Sequence, residues 1–430
     1  MSFLGFSLPA DPTFEARAPL ERIEVEADRE GTPCPELYRP YVLIDAIHDG
    51  NAIPAEFLTN APRNHWEELM AIYARQRSWG ATLIAGHLAS ALRLPMFLRV
   101  NTARALVDFG RFPGVVHRSA RRRQDLAIRP PFDEWLTATQ QHDLLCQHYD
   151  VISRGFDAAL ESMRVKVALH THDERDELGR LQPPISLMTR CRSSADGTDH
   201  HGPFDPLFPM ELLESTADRA LKSRVALELE AEGLRVSENH PGLLDDGSVE
   251  ARSLARRFFR RVQIAFEQTA RPCRRIGDAS PRDLVWEMLL DTNQRSCISD
   301  VMRGHLHRTR RPPEGYEKVF GAARFDYEEI SAFVLEHQES LVESFTLSSE
   351  RVSVLYVQVR KDLVWNSVGG PFGTPRRDAA RAIARAIARG VSHYLLEDRP
   401  EVVEDAVSGE MDAPVTNQTF GRKLLRTAGE

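Results

Sequence analysis

Three short stretches of this chain place ionisable side chains where an apolar run stops. They are His48 in Ile47-His48-Asp49-Gly50, the turn Asp108-Phe109-Gly110-Arg111, and His170-Thr171-His172-Asp173. Neutral imidazoles brought together from separate strand ends can share one divalent ion, and a catalytic zinc commonly takes three protein ligands and leaves a fourth position for water. A carboxylate joining two histidines completes such a set and lets the metal generate hydroxide near neutral pH. Arg104 and Arg111 flank Asp108. They read either as surface charges, as partners of Asp108, or as a pair suited to bidentate grip on a substrate carboxylate. A lone histidine at a strand end is usually a hydrogen-bonded structural residue, so the coincidence of two such ends carries the metal reading. His200 and His201 lie among aspartates in a turn-rich loop over residues 191–209 and read as solvent-exposed.

These residues need elements to hold them. The run Pro40-Tyr-Val-Leu-Ile-Asp-Ala-Ile47 predicts a buried parallel strand ending at His48, and ligands of open α/β sheets bind outside the carboxyl ends of such strands. A helix is expected near 65–75, and further strands at Ala81–Ala85, Met96–Val100 and Ala105–Phe109. Leu145, Tyr149, Ile152, Phe156, Leu160 and Met163 recur every three or four residues, which predicts helical structure between about 134 and 163. Val165–Leu169 returns to strand character and delivers His170. Later helices are expected at about 210–232, 250–269 and 328–345, a strand at Val352–Val359, then a glycine-rich loop over 369–373 and an amphipathic helix over 376–397. The alternation predicts an α/β fold, a mixed or parallel sheet covered by helices, in one domain over residues 38–400. Residues 1–37 read as a lead segment and 401–430 as a polar tail.

Composition bounds the rest. Of 430 residues 42% are hydrophobic and 27% charged, which is globular rather than disordered. A net charge of −8 gives no general attraction to nucleic acid or anionic membrane, and the basic run Arg121-Arg122-Arg123 reads as a solvated face. No stretch approaches the roughly 18 apolar residues of a membrane span, and the start lacks a basic segment followed by an apolar one. Five scattered cysteines without a CxxC pair read as free thiols. A soluble, cytoplasmic protein is expected, with no nucleic-acid or membrane partner. There is no GxxxxGK[ST] loop, no GxGxxG after a strand and no HExxH helix, so nucleotide-dependent chemistry is not indicated.

Read in order, the motifs resemble the N-formylglutamate amidohydrolase family, zinc hydrolases with a strand ending in a His-Ser-Gly or His-Asp-Gly turn, an Arg before Val-Asp-Leu-Asn-Arg, and a strand ending in Asp-x-His-Ser or His-Thr-Tyr-Asp. Here they stand as Ala46-Ile-His48-Asp49-Gly50-Asn-Ala-Ile-Pro54, Arg104-Ala-Leu-Val-Asp108-Phe-Gly-Arg111 and Val167-Ala-Leu-His170-Thr171-His172-Asp173. Asn239-His-Pro and Tyr356-Val-Gln358-Val-Arg360-Lys361 resemble later turns and strands of that family, so the likeness spans about residues 38–397. It implies a phosphorylase/hydrolase-like three-layer α/β/α sandwich with a mixed central sheet. It also implies Zn2+ on His48, His170 and an intervening carboxylate, with Glu67 favoured over Glu68, and Arg104, Asp108 and Arg111 at the substrate. The implied reaction is hydrolysis of an N-formyl or other amide bond of a carboxylate-bearing amino acid or peptide. Two positions depart from the family. The late-strand Glu, its general base, is Gln358, whose amide does not take a proton from water as a carboxylate does, which leaves Asp173 or Glu174 as the acid at hand. The Asn of Asp-Leu-Asn-Arg is Gly110. The alternative implied by these departures is a catalytically inactive relative that binds a ligand or partner protein through the same cleft.

Overall fold

In the computed structural model the described residues are 11–62, 65–113, 126–176, 178–192, 204–269, 280–348, 351–367 and 372–398. The expectations for Arg121–Arg123, His200–His201, Cys273, the first glycines of the 369–373 loop and the 401–430 tail fall outside them.

Seven strands form the central sheet: β1 (Leu20–Glu24), β2 (Val42–Ala46), β3 (Met96–Val100), β4 (Val165–His172), β5 (Ile185–Met188), β6 (Val236–Glu238) and β7 (Ser353–Arg360). Their order is β1-β3-β2-β4-β7-β5-β6. The strands β3, β2, β4 and β7 run parallel, while β1 closes one edge antiparallel to β3 and β5 pairs antiparallel with β7. Every residue of β2 and all but the last of β4 are buried, as expected of strands covered on both faces. Because the four central strands are parallel, the carboxyl ends of β2, β4 and β7 emerge at one edge of the sheet.

Helices cover both faces, making an α/β/α sandwich with a mixed sheet. On one side α2 (Ala81–Ala91), α4 (Arg219–Ala231) and α9 (Arg377–His393) pack on Ile44, Val167, Leu169, Leu355 and Val357. On the other lie α1 (Trp66–Gln76), α3 (Asp150–Leu160) and α5 (Val249–Thr269), extended by α6 (Pro281–Leu290), α7 (Cys297–Leu306) and the long α8 (Glu317–Leu347). In α9 the buried Ala380, Ile383, Ala384, Ile387 and Val391 form the expected stripe, and the arginines turn outward to acids: Arg385 to Asp28 and Arg389 to Glu228. Among the described residues no helix is long and apolar enough to cross a membrane. Cys34, Cys146, Cys191 and Cys297 are thiols rather than halves of disulfides.

Three expectations are corrected. Ala81–Ala85 is the start of helix α2, not a strand. Its sequence ATLIAGHLASA is buried on every side, and a continuous apolar run carries no periodicity to separate strand from helix; its length and its Ala and Leu content favour the helix. Ala105–Phe109 is not a strand either. Its apolar side chains are buried, but its backbone turns on itself, Leu106 and Val107 N–H both reaching the Ala103 carbonyl, and this curl presents Asp108. The lead segment is not outside the domain, since Leu20–Glu24 forms edge strand β1. Alternation in LERIE is weak because only Ile23 is buried, as befits an edge strand.

Helices α4 and α9 cross at Gly390, where an added Cβ would lie 2.6 Å from the Val225 Cα. Replacing a helical glycine by alanine usually stabilises by about 1 kcal/mol. Here Gly390→Ala should instead destabilise by about 1–3 kcal/mol through overpacking, read as a lower urea midpoint with unchanged slope.

Candidate active site

The chain leaving β2 must pass close to the chain leaving β3, and one glycine makes this possible. A Cβ on Gly50 would fall 2.4 Å from the Asn101 carbonyl oxygen. The two segments are laced by Ala52 N–H to the Asn101 carbonyl and Ala103 N–H to the Ala52 carbonyl, each at 2.8 Å. Asn101–Ala103 leads directly into the Arg104–Arg111 curl, so His48 and Asp108 meet beneath it.

Asp108 is fully buried, and its two oxygens serve different partners. Oδ1 lies 3.0 Å from His48 Nε2 and accepts the Gly110 N–H at 3.1 Å. Oδ2 accepts from Arg104 Nε and Nη2 and from Arg111 Nε at 3.0–3.1 Å, with Arg129 Nη1 at 3.7 Å. Burial alone would raise the carboxyl, but Arg104, His48 and Arg111 together hold it well below the usual carboxylate range. Gly110 roofs the pair, since its absent Cβ would stand 3.2 Å from both Asp108 Oδ1 and the His48 ring.

His170 reaches the same place from β4. Its ring centroid is 4.9 Å from that of His48, nearly edge-on at 67°, and its other face stacks on Tyr356 at 3.8 Å and 12°. Burial, then the neighbouring His48 and the arginine and lysine charges, push His170 well below the ordinary imidazole range; burial and Arg104 lower His48 against the pull of Asp108. Both environments disfavour the charged imidazolium. His48 Nε2 faces Asp108 Oδ1 at 3.0 Å, while His48 Nδ1 and both nitrogens of His170 are buried without a hydrogen-bond partner. Neutral imidazoles with unspent nitrogens are suitable donors for a divalent ion.

Gln358 stands directly opposite His170 in the β4–β7 register, and its side chain shares a hydrogen bond with the Tyr356 hydroxyl. The sheet face carrying His170 also carries Asp45, Lys166 and Tyr356, two or four residues earlier on their strands. Lys166 is completely buried and bridges Glu250 Oε1 at 2.6 Å and Asp45 Oδ2 at 3.1 Å. Two carboxylates and one ammonium leave a surplus negative charge. Burial and Glu250 push Asp45 up to about 7 against the pull of Lys166, whereas Glu250, held by Lys166, lies below its ordinary value.

The structure thus gathers His48, His170, Arg104, Asp108, Arg111 and Gln358 at one edge. Asp173 lies on the exposed rim, its carboxylate 2.6 Å from Lys361 Nζ, and Glu174 is exposed beside it. Glu67 and Glu68 do not join the histidines. Helix α1 buries Leu69 and Tyr73, which turns residues 67 and 68 to solvent, and Glu68 pairs with His65 at 2.6 Å. Among the described residues no three His, Cys, Asp or Glu side chains form a group that could hold a metal ion. Asp49 holds the turn together, because one of its oxygens pairs with buried Arg77 at 2.7 Å and the other accepts the Thr82 N–H at the start of α2. Sequence reasoning missed Arg129 and the Asp45–Lys166–Glu250 cluster. A charged residue inside each of two otherwise apolar strands, VLIDA and VKVAL, was the available signal.

Solved structures similar to this chain include the following two. One is N-formylglutamate amidohydrolase from Ralstonia eutropha JMP134, at 13% identity and TM-score 0.45, covering 89% of this chain and 100% of that one. The other is gene product Atu2144 from Agrobacterium tumefaciens, at 13% identity and TM-score 0.37, covering 83% of this chain and 91% of that one. No family model and no curated protein sequence matches. The chemistry of the site rests on this chain's own side chains.

The buried cluster sets a pH dependence. Asp45 in the folded chain holds its proton more tightly than the ordinary aspartate value of 3.8, so its contribution to stability is present below that value and is lost as pH rises through about 7. Asparagine does not titrate. The stability of the wild type relative to Asp45→Asn should therefore fall from about pH 4 to pH 7 and then level off, measured by urea unfolding. A pH-independent difference would show that Asp45 is ionised throughout.

Proposed function

We propose that this cleft is a hydrolase site for an N-formyl or other amide bond of a carboxylate-bearing amino acid or peptide. The observation that carries the reading is the pair of buried, neutral imidazoles, His48 and His170, with unspent nitrogens beside an arginine-lined carboxylate. His48 and His170 would supply two of the donors that a zinc ion needs. Zinc there would supply a polarised carbonyl and a water acidic enough to attack it.

The remaining work falls to the protein. Asp108 orients Arg104 and Arg111 through their Nε edges, and three guanidiniums around one carboxylate leave a positive surplus for a substrate carboxylate. Tyr356 stacks on His170 and fixes its ring, as second partners commonly orient a ligating histidine. With Gln358 at the strand end, the proton acceptor must be a different group, and Asp173 on the rim is our assignment. Substrate and metal are thus expected as partners of the full chain.

A second reading is favoured by Gln358 together with the exposed position of Glu67: a relative that binds its anionic ligand without cleaving it. Metal content by elemental mass spectrometry, alongside free-amine release from N-formyl-L-glutamate and other N-acyl amino acids, separates the two. The hydrolase reading expects zinc in the purified chain and amine release, both abolished in the His48→Ala, His170→Ala double variant. Arg104→Gln should raise KM by about tenfold or more, through loss of a charge-assisted contact. Tight ligand binding without any amine release would establish the binding protein instead.

A further inference from the structure

The guanidiniums around Asp108 are not equally committed. Arg104 gives Nε and Nη2 to Asp108 Oδ2 at 3.1 and 3.0 Å. Arg111 gives Nε to the same oxygen at 3.1 Å and turns Nη2 toward Asp245 at 3.8 Å, and Asp245 in turn holds Arg192 at 3.0 Å. A carboxylate oxygen offers about two lone-pair sites, so these three N–H groups leave Oδ2 no capacity for more. Arg129 accordingly stands off, its Nη1 at 3.7 Å from Oδ2, too long for a hydrogen bond. Among the described residues its guanidinium donates no hydrogen bond. The backbone beneath it is nonetheless fixed. The Ala127 carbonyl accepts the Asp108 N–H at 2.8 Å, and the Arg129 carbonyl accepts the N–H of buried Phe132 at 2.8 Å, while the Arg129 side chain stays 30% exposed.

Burial, then the charge of Arg111 and with it that of Arg104, lower Arg129 from its ordinary value against the pull of Asp108. A guanidinium kept among like charges with its donors unspent is stabilised by an anion, and its planar fork matches the two oxygens of a carboxylate. Arg104 shows that edge already spent on a protein carboxylate; Arg129 has the equivalent edge free. We propose that Arg129 makes the principal, two-pronged contact to the carboxylate of the ligand, while Arg104 and Arg111, held by Asp108, supply supporting positive charge. Residue 129 then sets the preference of the cleft for a planar carboxylate. It stands in Ile128-Arg129-Pro130-Pro131, outside the motifs of the family likeness. The inference rests on the reading of the cleft as one that takes a carboxylate-bearing ligand, and it holds for a hydrolase and a binding protein alike, since no metal enters it.

The test is isothermal titration of the full chain with succinate, and separately with sulfate as a tetrahedral anion, at one fixed ionic strength. The proteins are the wild type, Arg129→Gln, Arg129→Lys and Arg192→Gln. Arg129→Gln should weaken succinate by about tenfold or more, the scale of a lost hydrogen bond between charged groups. Arg192→Gln removes a nearby charge already paired with Asp245 and should stay within about twofold of the wild type. Arg129→Lys keeps the charge without the fork, so it should recover sulfate binding more fully than succinate binding and lower the ratio of succinate to sulfate affinity. Succinate binding by Arg129→Gln that is weakened no more than by Arg192→Gln overturns the inference and leaves Arg104 and Arg111 as the seat of the anion. A wild type that binds no succinate overturns the carboxylate reading of the cleft as well. If Arg129→Gln loses cooperative urea unfolding, Arg129→Lys decides by itself, an unchanged ratio of succinate to sulfate affinity overturning the inference.

Discussion

A carboxylate buried without access to water must be met by positive charge or hydrogen bonds, and at Asp108 that requirement organises the whole edge of the sheet. Arg104, Arg111 and Arg129 converge on one of its oxygens, while His48 and the Gly110 N–H take the other. His48 comes from the turn after β2, Arg104, Gly110 and Arg111 from the curl after β3, and Arg129 from a later segment. They meet because Gly50 lets the turn after β2 lie on the backbone after β3, and because Gly110 leaves room over the imidazole. A side chain at either glycine would separate the histidine from its carboxylate. Ordered positive charge at the cleft mouth is the direct consequence.

Beneath this edge the same sheet face carries Asp45, Lys166 and Glu250 in full burial. Such a cluster is weak evidence for stability, since ion pairs taken out of water gain little over apolar packing. It does shape the site electrically. Lys166 adds to the forces that keep His170 uncharged, and Glu250 partly offsets the arginine field at His48. Uncharged imidazoles are what metal ligation or hydrogen-bonded ligand contact needs, so the buried charges and the cleft form one electrostatic unit.

Strand ends were the legible part of the sequence. A parallel sheet places its carboxyl ends together, so reading His48 and His170 after apolar runs was enough to bring them to one edge, whereas Gln358 came only from the family likeness. Illegible were the features that depend on tertiary partners. ATLIAGHLASA has no periodicity because it is buried all round, and Ala105–Phe109 hides a curl behind strand-like composition. Glu67 is an acid near the right place in the chain, but the burial of Leu69 and Tyr73 fixes which way α1 turns and carries that acid to solvent. Arg129 reaches Asp108 from a segment with no motif of its own.

One departure, Gln358, changes the charge of the cleft. It puts a neutral amide across the strand pairing from His170, where a carboxylate would add negative charge. The surrounding arginines are meanwhile in excess over Asp108. Relative to a cleft with a carboxylate at that position, this one is more cationic by one charge and poorer by one proton acceptor. Such a change favours holding an anion over activating water, because the first needs only positive charge and the second needs a base. Paired histidines and oriented guanidiniums suit either of the proposed roles, and the neutral side chain at residue 358 weighs toward the first.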